Sequence, residues 1–124
     1  MVLCSDLQRS YRTAELGFAG RDVKVVRDRR LRECDYGEYT RYSTEKLNAI
    51  RAQHVDRPFP GGESYAQAVQ RSLDVINELQ AETVGALLVI GHRVTFYALE
   101  QQFRGALLHD STLGRARPLS SPRS

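Results

Sequence analysis

Residues 86–103 read ALLVIGHRVTFYALEQQF. Five apolar residues in a row, Ala86 to Ile90, stop abruptly at Gly91-His92. A helical repeat then starts, with Phe96, Leu99 and Phe103 on one side. An uninterrupted apolar run of this length is the pattern of a strand buried on both faces of a parallel sheet. Upstream, Tyr65, Val69, Leu73, Ile76 and Leu79 recur at helical spacing to about Gln80, behind Ser64 and Gln67 in capping-box spacing. The order helix, strand, helix predicts an α/β fold with a mostly parallel sheet.

Outward from this centre the pattern continues. DRPFPGGES, Asp56 to Ser64, is a turn-rich connection in which Pro58 and Pro60 restrict the residues before them. Thr44 to Gln53 predicts a short helix. RDRRLRECDYGEYTRYS, residues 27–43, reads as a polar loop turning at Gly37, and VKVV, Val23 to Val26, as a short strand. Near the N-terminus Val2-Leu3-Cys4 meets Ser5-Asp6. Ser5 or Asp6 is the expected helix cap, with Gln8 three residues after Ser5, and Leu7, Tyr11, Ala14 and Phe18 form one apolar face ended by Gly17 and Gly20. After Gly105, Ser, Pro and Arg dominate. Such a stretch buries too little surface to offset the entropy of ordering it. One domain over 1–105 and a disordered tail over 106–124 are therefore expected.

At 124 residues the chain has room for one domain, and 41% apolar with 27% charged residues is ordinary for a globular protein. A net charge of +3 is too small to argue for nucleic acid. It suits a small anionic ligand if the arginines converge. Cys4 and Cys34 form no disulfide framework, and no Cys/His group has metal-ligand spacing. The cysteines are expected to be reduced in a cytoplasmic protein. No apolar stretch approaches a membrane span, and no charged-then-apolar leader opens the chain.

Parallel α/β sheets bind ligands beyond the carboxyl ends of their strands. Two such ends carry reactive residues: Cys4-Ser5-Asp6 followed by Arg9, and Ile90-Gly91-His92 followed by Arg93. Each precedes a predicted helix N-terminus, whose free N–H groups favour an anion. Leu31-Arg32-Glu33 follows the second strand. Arg offers a fork matched to phosphate oxygens, His a donor or proton carrier, and Glu a proton donor to a leaving alcohol. The plainer readings are a solvated Arg9, a capping or packing His92, a surface Glu33 and a solvated basic run at Arg27–Arg32. His54 and His109 carry no signal. A nucleic-acid contact through RDRRLR and the tail is a weaker reading, with steep salt dependence as its mark.

SDLQRSYRTAE, LRECDYGEY, PGGESYAQAVQR and LLVIGHRVTFYAL, in that order, resemble the histidine phosphatase superfamily, the phosphoglycerate-mutase-like proteins. The resemblance implies a mostly parallel sheet with helices on both faces. It also implies a phosphomonoester hydrolase working through a phosphohistidine, without metal or other cofactor, on a small phosphorylated substrate. By motif, Arg9 is a phosphate-pocket arginine, Glu33 the proton donor to the leaving oxygen, and His92 the second pocket histidine. The stretch from Glu33 to Gly61 is short, which favours a phosphatase over mutase-type phosphoryl transfer. Sugar phosphates, phosphoglycerates, nucleotide-derived and cofactor-precursor phosphates all remain open as substrates.

The family's attacking histidine lies in an Arg-His-Gly motif on a strand that belongs upstream of SDLQR. The 124 residues contain no Arg-His-Gly. The resemblance therefore implies a domain incomplete at its N-terminus, an inactive chain and a strand edge left open. A non-catalytic phosphate-binding or interaction module is the alternative. The position after His92 is usually small in the family; Arg93 either reaches the phosphate pocket or blocks it. The tail after Gly105 does not look like the family's closing elements, so the domain is also expected to be incomplete at its C-terminus.

Overall fold

The computed structural model of the chain describes residues 1–105 and 107–113. Three parallel strands form the sheet: β1 (Val2–Cys4), β2 (Val25–Arg27) and β3 (Leu88–Ile90), in the order β2-β1-β3. Val2 lies opposite Val25 and Leu88, and Cys4 opposite Arg27 and Ile90. Central β1 is fully buried because it is paired on both edges and covered on both faces.

Side-chain alternation along the strands sends the two faces to different helices. Leu3, Val26 and Val89 pack with Val75, Ile76 and Leu79 of α3 (Tyr65–Glu82) and Leu99 of α4 (Arg93–Arg104). Val2, Cys4, Val25 and Ile90 pack with Tyr11, Ala14 and Phe18, along and just beyond α1 (Gln8–Gly17). Helices on both faces are what the family resemblance implied. A third cluster stands beside the sheet. It joins Leu47 of α2 (Thr44–Ile50) and Phe59 to Tyr65, Val69 and Leu73 of α3 and to Val94 and Tyr97 of α4. His54, in the 3-10 turn after α2, is packing: it stacks on Phe59 at 4.1 Å and its Nδ1 lies 2.9 Å from the Arg57 carbonyl.

The helices predicted at 44–53, 65–80 and 94–103 are present, the first finishing as that 3-10 turn. The Ser64–Gln67 capping box is made in both directions. Four readings differ. Helix α1 starts after Leu7 with no side-chain cap, because Ser5 is buried at the end of β1 and its hydroxyl is engaged elsewhere. Strand β3 is not buried on both faces; Leu88 is 47% exposed, since among the described residues β3 pairs with β1 alone and only Ile90 of the strand joins the cluster under α1. Loop 27–43 contains two 3-10 turns, Arg29–Leu31 and Gly37–Tyr39. Within the stretch expected to be disordered, α5 (Leu108–Thr112) forms a short helix that packs through Leu108 against the third cluster. Residues 106 and 114–124 lie outside the described residues. Among the described residues no helix is long and apolar enough to cross a membrane.

Candidate functional site

All three strands run in one direction, so the segments following β1, β2 and β3 meet at one end of the sheet. They deliver Ser5 and Arg9, Glu33, and His92. The turn from β3 into α4 is tight. A Cβ on Gly91 would sit 2.3 Å from Thr95 Oγ1, so only glycine lets the chain turn this closely. The same Thr95 hydroxyl accepts from the His92 N–H at 3.1 Å, which holds His92 at the head of α4. The ring is oriented by a hydrogen bond between Nε2 and the Ser5 hydroxyl, 3.0 Å long across 87 residues of sequence.

Glu33 reaches across to the same place. Its Oε1 accepts from the N–H groups of Cys34 at 2.8 Å and Val94 at 3.2 Å, and its Oε2 from that of Arg93 at 3.1 Å. The N-terminus of α4 therefore does not offer free donors, as the sequence suggested; an internal carboxylate occupies two of them. This is the ordinary preference of a negative group for a helix N-terminus. It locks Glu33 beside His92.

A guanidinium from α3 fixes the backbone behind Glu33. Arg71 Nη1 donates to the carbonyls of Arg30 at 2.8 Å and Arg32 at 2.7 Å, and Nη2 to that of Glu33 at 2.8 Å. Nε and Nη2 also bond the Glu63 carboxylate, which accepts in turn from the Asp35 N–H at 2.9 Å. Asp6 and Arg32 tie the loop after β1 to the loop after β2 through two bonds of 2.6 Å.

Of the residues singled out in the sequence, the structure brings His92 and Glu33 together. Arg9 lies exposed in the first turn of α1, and its side chain has no hydrogen-bond or ion-pair partner among the described residues. Arg93 gives its N–H to Glu33, while its side chain lines a separate cavity beside α5. Sequence reasoning placed Ser5 at a reactive strand end without its partner His92, and missed Arg71, Glu63 and Arg51. Glu63 and Arg71 sit eight residues apart, across the α3 cap, a spacing that puts both on one side of the helix start. Cys4 and Cys34 are free and buried, and burial pushes both thiols up, so neither is a reactive thiolate.

Ion pairs around the site carry a pH dependence. Arg32 holds Asp6 below its ordinary value of 3.8, and Arg30 does the same for Asp28 and Glu78. A carboxyl lowered in the folded state contributes fully above its unfolded value, and the contribution goes as pH falls through the lowered value. The melting temperature is expected to stay level from pH 7 to about pH 5 and then to drop by a few degrees toward about pH 3. The drop should be smaller in high salt, since these pairs are partly exposed. Thermal melts across that range check this; a profile that stays level to pH 3 would remove these pairs from the account.

The family model described as "Histidine phosphatase superfamily (branch 1)" matches residues 1–117. Among solved structures the chain is similar to mycobacterial glucosyl-3-phosphoglycerate phosphatase, with 23% identity and a TM-score of 0.72, covering 90% of this chain and 62% of that one. It is similar to Bacillus stearothermophilus YhfR, with 21% identity and a TM-score of 0.72, covering 89% and 59%. It is similar to the alpha-ribazole phosphatase from Shigella flexneri, with 22% identity and a TM-score of 0.68, covering 90% and 59%. These likenesses establish a common fold. The chain spans about three fifths of the length of each structure it matches.

Proposed function

The chain belongs to the histidine phosphatase superfamily, and on that premise we propose that Arg9, His92 and Glu33 are the phosphate-holding and proton-donating part of a phosphomonoester hydrolase site. The observation that carries this is the meeting of Glu33 and His92 at the carboxyl end of a parallel sheet, from segments 60 residues apart. A similar mycobacterial phosphatase has been solved in complex with inorganic phosphate, which supports a phosphoryl group as the ligand.

Each residue has a role its geometry suits. Arg9 carries a fork of donors with no competing partner among the described residues, so it is available to two phosphoryl oxygens. His92, its ring set by Ser5, holds a further oxygen. Glu33 Oε2 accepts one N–H and keeps a second lone pair. A proton carried there passes to the leaving alcohol oxygen as the P–O bond breaks. The family's phosphoryl acceptor is the histidine of Arg-His-Gly, and no such motif occurs in the 124 residues. We therefore propose that this chain by itself binds phosphate without turnover. The short stretch between Glu33 and Gly61 favours hydrolysis over transfer to a second alcohol in the protein that uses this site.

Two assays on the 124-residue chain test the reading: calorimetric titration with inorganic phosphate, and release of nitrophenol from p-nitrophenyl phosphate. Saturable phosphate binding is expected, weakened about tenfold by Arg9→Ala and by His92→Ala, with no nitrophenol released. Absence of saturable binding, or binding indifferent to both substitutions, would overturn the phosphate site. Turnover would show that another group in the chain accepts the phosphoryl group.

A further inference from the structure

A strand paired on one side only leaves a row of backbone N–H and C=O groups facing outward. Among the described residues β3 is such a strand, since only β1 lies beside it. Its register fixes which groups those are. Leu88 donates its N–H to the Met1 carbonyl at 3.0 Å, and Leu88 and Ile90 stand opposite Val2 and Cys4. Alternate residues of a strand bond to alternate sides, so Leu88 and Ile90 are spent on β1. Val89, between them, turns its N–H and C=O away from the sheet, and Leu87, two residues earlier, does the same.

Native sheet edges are commonly blunted by a charge or a proline. The other edge strand, β2, follows Lys24 and ends in Arg27, whose guanidinium lies 4.1 Å from the centre of the Tyr11 ring. The β3 edge has no such protection: Val84 to Gly91 include no charged residue and no proline. Apolar side chains flank the outward row on both faces. Leu88 is half exposed on the α1 face, and Val84, just before β3, is fully exposed. On the opposite face an apolar cavity of about 140 Å3 opens between Leu87 and Val89 on one side and Leu99 and Phe103 of α4 on the other.

We propose that this edge pairs with the same edge of a second copy of the chain, antiparallel about a two-fold axis at Val89, joining the two three-stranded sheets into one. The edge is its own complement. With Val89 facing its own copy, each N–H donates to the other's C=O. Leu87 then faces Gly91 of the partner subunit, and the half-exposed Leu88 covers Ile90 of the partner subunit. Every contact occurs twice, as isologous pairing requires. No charge stands along the edge to select a polar or charged peptide. An equally apolar, uncharged strand fits it, and this chain carries one. Antiparallel pairing points the carboxyl ends of the two sheets in opposite directions, so both His92 sites stay open and the pairing is independent of phosphate.

Sedimentation equilibrium of the full chain over a wide range of concentration tests this. A reversible equilibrium between one chain and two is expected. Leu88→Lys sets a charge against Ile90 of the partner subunit and should raise the dimer dissociation constant about tenfold or more. Val89→Pro removes the outward donor, spares the bonds to β1, and should do the same. Leu16→Lys, at an exposed apolar position on α1 away from this edge, should leave the constant within about twofold. Hydrogen exchange reads the pairing in the unsubstituted chain. On dilution from dimer to monomer the Val89 amide should exchange about tenfold faster, while that of Leu88, held by the Met1 carbonyl, changes little. The mass of a single chain at every concentration would overturn the proposal. So would a mass that keeps growing past two chains, a dimer as tight in Leu88→Lys as in the unsubstituted chain, or a Val89 amide indifferent to dilution. The exchange result decides the matter if neither edge variant folds.

Discussion

Replacing Arg71 by methionine is expected to lower the stability of the chain by about 3 kcal/mol and to loosen the loop that carries Glu33. The Arg71 side chain is 23% exposed and Glu63, its carboxylate partner, 21%, so the cost lies toward the low end for a buried pair. What makes it large is the number of groups left behind. Three carbonyls, those of Arg30, Arg32 and Glu33, lose their donor together with the Glu63 carboxylate. Methionine fills the volume and supplies none of these donors. Arg71→Lys, which keeps the charge but not the fork, should recover only part of the stability. The amides of Cys34, Arg93 and Val94 report on the site directly, because the Glu33 carboxylate is their acceptor. Their hydrogen exchange should quicken in Arg71→Met well before global unfolding does. Unchanged protection at these three amides would show that Glu33 holds its place without Arg71.

Gly62→Ala is expected to destabilise the chain by about 3 kcal/mol, through overpacking against backbone that has nowhere to move. A Cβ there would lie 2.2 Å from the Asp35 carbonyl oxygen and 2.7 Å from the Gly37 nitrogen. The loops at 35–38 and 59–63 are laced together by Glu38 N–H to Pro60 O at 2.8 Å and Glu63 N–H to Asp35 O at 2.9 Å. To admit a methyl group, both bonds must lengthen. Gly37, whose φ is +55°, answers Gly62 from the other side and would itself clash with the Pro60 carbonyl if substituted. Because Glu63 sits next to Gly62 and holds Arg71, the damage should extend to the Glu33 loop. Denaturant melts of Gly62→Ala and of Gly17→Ala, where a Cβ meets nothing within 4 Å, form the comparison. Similar midpoints for the two would refute the packing account.

Much of the frame was legible in the residues themselves, for reasons that are local. Helix α3 announces itself by its apolar spacing and by the Ser64–Gln67 box, which is made within four residues. The end of β3 is visible because an apolar run meets Gly91, and Gly91 is required by Thr95 only four positions on. The ordered motifs around Arg9, Glu33 and His92 pointed to the superfamily, and Glu33 and His92 do come together. The β3 burial was misread because an apolar run reports the solubility of a strand, while its exposure depends on which neighbours cover it.

What the sequence determined by itself, then, was helices α1 to α4 and the three strands, their order, and the type of chemistry the strand ends could support; α5 was not among them. Period, caps and turn residues act over a few positions, and a single chain displays them openly. Tertiary structure alone decided how the polar side chains are spent. Ser5 looked like a helix cap and instead orients His92; Glu33 looked like a surface acid and instead closes the head of α4. Arg71 and Arg51 carried no signal in the sequence. One became the clamp on the Glu33 loop, and the other lies buried beside an open cavity. These partners stand tens of residues apart in sequence. A hydrogen bond depends on distance in space, which the linear pattern of charges does not encode until the sheet has brought its three strand ends to one place.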